Sequence, residues 1–245
     1  MRTHFISHLG PIWCLSWAHP IFGRIFATGG NDHFLKIWSI NKNTITPIHS
    51  EKLDDSINCI EFGPKSAGFL IILGLENGKI IALKQIGKSY FPFYIQNEKN
   101  IPISSISWAP DFAKDLTPQF RFVTGGYDSR AIIWEYNDKL QTQIKYLEIL
   151  PIEKRGFIHS VCWNKNIGLL KDLIVIGSEA GLVEIFTYND NKWSGVSITD
   201  FGFPIWQVSW SQTGCILSVL KGNNQLEYII VINLYRKHLK ESGLK

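Results

Sequence analysis

The sequence predicts an all-β protein assembled from repeated four-stranded units, and three observations predict it. An aliphatic residue followed five positions later by Trp or Phe recurs five times along the chain, and a turn flanked by two apolar runs follows four of the copies. Nine Trp, 20 Gly and 10 Pro against a single Met are the balance of many strands joined by turns, not of packed helices. With 245 residues, 45% hydrophobic and 19% charged, the chain can bury a core, which excludes disordered, collagen-like and coiled-coil classes.

The repeated strand reads IWCLSW at Ile12 to Trp17, INCIEF at Ile57 to Phe62, ISSISW at Ile103 to Trp108, IHSVCW at Ile158 to Trp163 and IWQVSW at Ile205 to Trp210. Successive copies start 45, 46, 55 and 47 residues apart. The hairpins that follow are Ala27 to Trp38, Leu73 to Leu83, Val123 to Trp134 and Val175 to Phe186. From turn residue (Asp32, Asn77, Asp128, Ala180) to closing apolar residue (Trp38, Leu83, Trp134, Phe186) the spacing is six in all four. A constant spacing belongs to a hairpin whose register the turn sets.

The variable spacings lie between motif and turn: 15 residues from Trp17 to Asp32, 15 from Phe62 to Asn77, 20 from Trp108 to Asp128 and 17 from Trp163 to Ala180. Insertions therefore fall in loops, the longest being Asp111 to Phe120, with another between Trp134 and Ile158. Strands such as Ile71 to Leu73 and Ala131 to Ile133 are apolar on both faces, as when sheets stack face to face. Each unit of about 45 residues then has the size of one propeller blade.

The expected units are 8–53, 54–99, 100–154, 155–200 and 201–235, with 1–7 as a remnant outer strand and 236–245 as a basic tail. The fifth is irregular: Leu217 to Leu220 and Tyr228 to Ile232 read as strands, and the turn Lys221 to Asn224 reads as leading into a longer arm.

Several functions are unsupported. The segment Met1 to His8 has no apolar signal core, and Gly68 to Leu75 and Tyr228 to Ile232 are far shorter than the roughly 20 residues of a membrane helix. Cys14, Cys59, Cys162 and Cys215 show no CxxC spacing, and reduced, buried thiols of a cytosolic or nuclear protein are expected. Ala82 to Ser89 falls one residue short of a GxxxxGKS phosphate loop and runs into strand-like Tyr90 to Tyr94, so a blade-edge turn is expected and no nucleotide.

His4, His8, His19, His33, His49, His159 and His238 lack metal-ligand spacing, and Cys59 lacks an adjacent base. His19, between Ala18 and Pro20, reads as part of a turn. The net charge of +4 is scattered apart from Arg236 to Lys240, which argues against a nucleic-acid stripe. Trp13 and Trp206, exposed aromatics at strand starts, read as packed at propeller faces and not as stacked on bases. No catalytic residue, metal or cofactor is expected.

A His before the first strand, Ser or Thr in the second, Asp in the turn and Trp closing the third resemble the hydrogen-bonded tetrad of WD-repeat propellers. Here these are His8, Thr28, Asp32 and Trp38, repeated without the His as Thr124, Asp128 and Trp134. The stretch His8 to Asp32, with its GPIW strand and WAHP, is narrower and resembles the SEC-thirteen family. Ser105 to Phe112, Arg121 to Trp134, Ile158 to Leu169 and Ile205 to Leu217 extend the likeness over nearly the whole chain.

The resemblance implies an open WD-repeat β-propeller with about five four-stranded blades here. It implies a non-catalytic scaffold of the COPII outer cage in ER-to-Golgi transport and of the nuclear pore outer ring, whose ring is completed by a blade from a larger partner. The implied partners are a SEC-thirty-one-type coat subunit and a helical nucleoporin, met on the cytoplasmic side of the ER and its vesicles and at the nuclear envelope. Membrane association then comes only through the assembly, and nucleic acid is not bound directly.

Candidate partner-binding edge residues are Phe5, Ile6, Tyr228, Ile230 and Ile232. The family carries a complete blade before GPIW, of which Thr3 to Ile6 reads as the last strand, through loss or a late start codon. Alternatives are the related SEC-thirteen homologue of the pore and a WD-repeat adaptor that binds a peptide on its flat face.

Overall fold

A computed structural model describes residues 8–42, 44–96, 100–111, 120–137, 144–152, 156–165, 172–189 and 192–230. Their regular structure is β-strand apart from two short 3-10 turns, Pro20–Phe22 and Lys65–Ala67. Contacts divide the chain into two compact units, Met1–Ile103 and Ser104–Lys245.

In the first unit, β1 (Ile12–Trp17), β2 (Ile25–Gly30), β3 (Phe34–Asn41) and β4 (Thr44–Lys52) form one antiparallel sheet in chain order. A second sheet follows with β5 (Ile57–Phe62), β6 (Leu70–Leu75), β7 (Lys79–Ile86) and β8 (Ser89–Gln96). The second unit holds a sheet of β9 (Ile103–Trp108), β10 (Phe120–Gly126), β11 (Ala131–Tyr136) and β12 (Ile144–Ile149). Its next sheet is β13 (Ile158–Trp163), β14 (Leu173–Ser178), β15 (Leu182–Asn189) and β16 (Lys192–Asp200). The last has three described strands, β17 (Ile205–Trp210), β18 (Ile216–Lys221) and β19 (Leu226–Ile230).

The turn chemistry explains the constant spacing of six. Asp32, Asn77 and Asp128 each accept, through Oδ1, the amide of the residue two positions on, Phe34 (3.2 Å), Lys79 (3.1 Å) and Arg130 (3.1 Å). The residue between takes the left-handed backbone that such a turn needs: His33 at φ 66°, Gly78 at 79° and Ser129 at 62°. Ala180 cannot accept, and the following Gly181, at φ 83°, makes the turn alone.

The fifth sheet uses the same device where a longer arm is expected. Asn223 Oδ1 accepts the Gln225 amide at 3.2 Å and Asn224 sits at φ 61°, so β18 runs directly into β19, with Ser218 opposite Tyr228. Phe5, Ile6 and Ile232, the segments 1–7 and 236–245, and most of the long loop (112–119) lie outside the described residues.

Inside each unit the first strand of a sheet packs on the sheet before it. Ile57, Ile60 and Phe62 of β5 bury against Ala27, Leu35 and Ile37. Ile158, Val161 and Trp163 of β13 bury against Val123, Ala131 and Ile133, and Ile205 and Val208 of β17 against Val175, Val183 and Ile185. Each large apolar side chain so buried contributes about 1.5–3 kcal/mol.

Serine hydroxyls stitch the same joints. Ser16 Oγ accepts the Phe62 amide (3.2 Å), Ser105 that of Val161 (3.1 Å), Ser107 that of Trp163 (3.0 Å) and Ser160 that of Val208 (3.1 Å). These bonds pair backbone donors on the outer side of each first strand, which ends its sheet and has no ladder partner there among the described residues.

Candidate functional site

The most densely hydrogen-bonded side chains in the first sheet are His8, Thr28, Asp32 and Trp38. His8 Nδ1 stands 2.9 Å from both Asp32 oxygens, and its Nε2 2.7 Å from Thr28 Oγ1. Trp38 Nε1 donates to the same hydroxyl oxygen at 2.8 Å, and the Leu9 amide donates to Asp32 Oδ2 at 2.9 Å. Hydrogen accounting assigns the tautomer: Trp38 N–H to Thr28, Thr28 O–H to His8 Nε2, His8 Nδ1–H to Asp32.

The His8 and Asp32 side chains are only 1% and 7% exposed, and every polar atom in the chain of bonds is used. Such a network holds strand entry, turn and third strand together and has no free valence for a substrate. In the third sheet, Trp134 Nε1 donates to Thr124 Oγ1 at 2.9 Å and Asp128 caps its own turn.

Burial raises the Asp32 carboxyl pKa, but the hydrogen bonds from His8, Leu9 and Phe34 outweigh it, and the net value lies below the ordinary one. A depressed native pKa contributes stability above the unfolded value of about 3.9 and loses it as pH falls through the native value. Asp32→Asn is therefore expected to cost about 1.5–3 kcal/mol at pH 7 and progressively less below about pH 4. Urea midpoints of both proteins across that range test this, and a penalty independent of pH would refute it.

Two sheet faces stand apart because, among the described residues, no neighbouring sheet buries their apolar side chains. The residues of β1 that correspond to Ile57, Ile60 and Phe62 are Ile12, Leu15 and Trp17, and they are 45%, 53% and 57% exposed where the β5 trio is 0%, 8% and 8%. In the fifth sheet, Leu226, Tyr228 and Ile230 alternate onto one face of β19 at 52%, 67% and 54% exposed, beside Ile216 on β18. Tyr228 and Ile230 are two of the expected edge residues. The β1 trio and Leu226 are not anticipated by the sequence reading, although the signal exists: a motif buried in later units occurs in the first.

The model of the WD domain, G-beta repeat, matches residues 1–39. The chain is 30% identical to "Protein transport protein sec13" of Emericella nidulans, over 96% of this chain and 79% of that one. The protein of the same name in Aspergillus fumigatus is also 30% identical, over 96% and 80% of the two chains. The chain belongs to the SEC-thirteen family of WD-repeat proteins. "Protein SEC13 homolog" of Drosophila melanogaster is likewise 30% identical, over 90% of this chain and 65% of that one.

In this SEC-thirteen family chain the antiparallel sheets are blades of the WD-repeat propeller class. Gly87 and Lys88 form the two-residue turn of the β7–β8 hairpin, with Ile86 opposite Ser89, so no helix N-terminus follows them. His19 caps the Pro20–Phe22 turn, accepting the Ile21 amide at 3.2 Å. All four thiols are free; burial pushes that of Cys14 up to about 12, opposed in part by a backbone hydrogen bond at Gly29, and raises Cys59 well above its ordinary value. Both stay protonated at neutral pH and are poor nucleophiles.

Among the described residues no three His, Cys, Asp or Glu side chains converge as metal ligands, and no helix is long and apolar enough to cross a membrane. Trp13, at the start of its strand, is 59% exposed. The bulge between Ile12 and Cys14 turns it out of the ladder. Trp206, 49% exposed, has its ring 4.7 Å from that of His159, and Tyr127 and Phe157 stack at 5.2 Å beside them.

Proposed function

We propose that the chain is a non-catalytic scaffold in protein transport, a subunit of the COPII outer cage and of the nuclear pore outer ring, whose open sheet faces are covered by a sheet from a larger partner. The observation that carries this reading is the exposure of Ile12, Leu15 and Trp17, side chains whose counterparts in β5 are buried at a joint between sheets. An exposed apolar sheet face of this kind marks an interaction surface. The names of the relatives support the transport role.

The proposed partners are a SEC-thirty-one-type coat subunit and a helical nucleoporin. The chain then works on the cytoplasmic side of ER membranes and at the nuclear envelope, touching lipid only through the assembly, with no cofactor and no nucleic acid. Strand or sheet addition supplies affinity through main-chain bonds and specificity through alternate side chains.

The test is retention of the purified chain on immobilised coat and nucleoporin fragments. Tyr228→Asp and Ile230→Asp, at surface positions where stability moves by only about 0.5 kcal/mol, are expected to lower retention at least tenfold. If neither fragment retains the unsubstituted chain, the reading fails.

The cluster of Tyr127, Phe157, His159 and Trp206 favours a second reading, an adaptor that binds a peptide at the turn side of the second unit. Burial lowers the His159 pKa, partly offset by the charge of Glu179, so a neutral imidazole faces the ring of Trp206. Binding that survives Tyr228→Asp and is lost on Trp206→Ala would favour the adaptor.

A further inference from the structure

Three joints between neighbouring sheets are built alike. In each, the isoleucine opening a sheet's first strand seats where a glycine in the second strand of the preceding sheet leaves room: Ile57 at Gly29, Ile158 at Gly125 and Ile205 at Gly177. A Cβ on these glycines would stand 2.7, 2.6 and 2.6 Å from the isoleucine Cγ2, so a side chain there closes the socket.

Register locates the same position in the fifth sheet. Cys14 pairs with Gly29 and Ser160 with Gly177; in the fifth sheet the matching pair is Gln207 with Leu220. Leu217 and Val219 bury toward the fourth sheet, so alternation puts Ile216, Ser218 and Leu220 on the opposite, outgoing face. The socket there is filled by leucine. The next residue differs as well: Lys221 pairs with Ile205 where Gly30 pairs with Ile12, and it is ion-paired to Glu227.

The other half of such a joint is also exposed. Ile12 opens β1 as Ile57, Ile158 and Ile205 open their strands, and it lies in solvent. With glycine at position 220, one molecule would carry both an exposed knob and an open socket. Such a pair of surfaces joins copies head to tail, in rings or in open chains.

We propose that Leu220 keys the outgoing face of the fifth sheet: it shuts out the Ile12 of a second copy and admits a partner sheet whose first strand presents glycine, alanine or serine at that point. The three internal joints show what covers an outgoing face, namely the first strand of another antiparallel sheet. Leu226, Tyr228 and Ile230 extend an apolar surface beside Leu220 for such a sheet to bury. The identity of the partner rests on the function proposed above; the exclusion of a second copy does not.

Sedimentation velocity on the full chain over a hundredfold concentration range tests it, with circular dichroism as the check of folding. The unsubstituted chain is expected to stay monomeric, Leu220→Gly to form larger species as concentration rises, and Leu220→Gly with Ile12→Ser to return to monomer. Leu220→Ala, a shorter plug, is expected to associate more weakly and carries the test if the glycine variant does not fold.

A folded Leu220→Gly that stays monomeric throughout, or association of the unsubstituted chain that Ile12→Ser removes, overturns the proposal. A second arm compares coat fragments carrying glycine or isoleucine opposite position 220. At least tenfold preference for glycine is expected, and preference for isoleucine overturns the key. Failure of both fragments to bind overturns the partner reading instead, leaving the sedimentation result to stand on its own.

Discussion

Replacing Trp38 with alanine is expected to lower the free energy of unfolding by about 3 to 5 kcal/mol, the range for deleting a large buried aromatic. Two losses combine. The indole is 4% exposed and stacks on Phe26 with ring centroids 6.3 Å apart, so its removal leaves a cavity between strands that cannot close around it. Its N–H also donates to Thr28 Oγ1, and without it the hydroxyl keeps only its bond to His8.

Trp134→Ala is expected to cost a similar amount, because Trp134 repeats the arrangement on Phe122 and Thr124. Denaturant midpoints at unchanged m-value measure the loss. A domain of this kind has about 5 to 15 kcal/mol in total, so either change removes a large share. Unchanged midpoints in both variants would show that the tetrad contributes nothing to stability.

The second large effect is expected from Gly29→Val, at about 2 to 3 kcal/mol, through overpacking and not through backbone strain. A Cβ there would meet Ile57 Cγ2 at 2.7 Å, Ile57 Cβ at 2.8 Å and Ile60 Cδ1 at 2.9 Å, and valine adds two methyls to that clash. The Cβ of Ile57 cannot withdraw unless β5 moves. Ile57→Ala alone should cost about 2 to 5 kcal/mol, yet in a double-mutant cycle it should recover at least 1 kcal/mol of the Gly29→Val penalty by vacating the socket. Strict additivity would disprove the knob-and-socket joint.

Much of this architecture is legible in the sequence because it rests on local chemistry. Asp32, Asn77 and Asp128 form turns through their own carboxylate or amide and the residue after them, whatever packs around the hairpin. The turn at Lys221 to Asn224 is legible in the fifth unit but reads as leading into a longer arm, although the Asn223 side chain accepts the Gln225 amide as Asn77 accepts that of Lys79. The four tetrad residues are readable from type and spacing, whereas the amides of Leu9 and Phe34 that complete the Asp32 shell are not, since a backbone donor has no letter of its own.

Exposure is the quantity that the sequence leaves open. Ile12, Leu15 and Trp17 carry the same pattern as Ile158, Val161 and Trp163, yet one set lies in water and the other is buried. A strand's letters specify which side chains share a face; whether that face is dry depends on a neighbour encoded elsewhere. By itself the sequence determined an all-β chain of repeated blades, their turns and their tetrad, because these follow from periodicity and contacts a few residues apart. Only the tertiary structure decided which faces remain open and that Leu220 fills the last socket, because those are properties of packed surfaces, where register across strands and the presence of a covering sheet set the outcome.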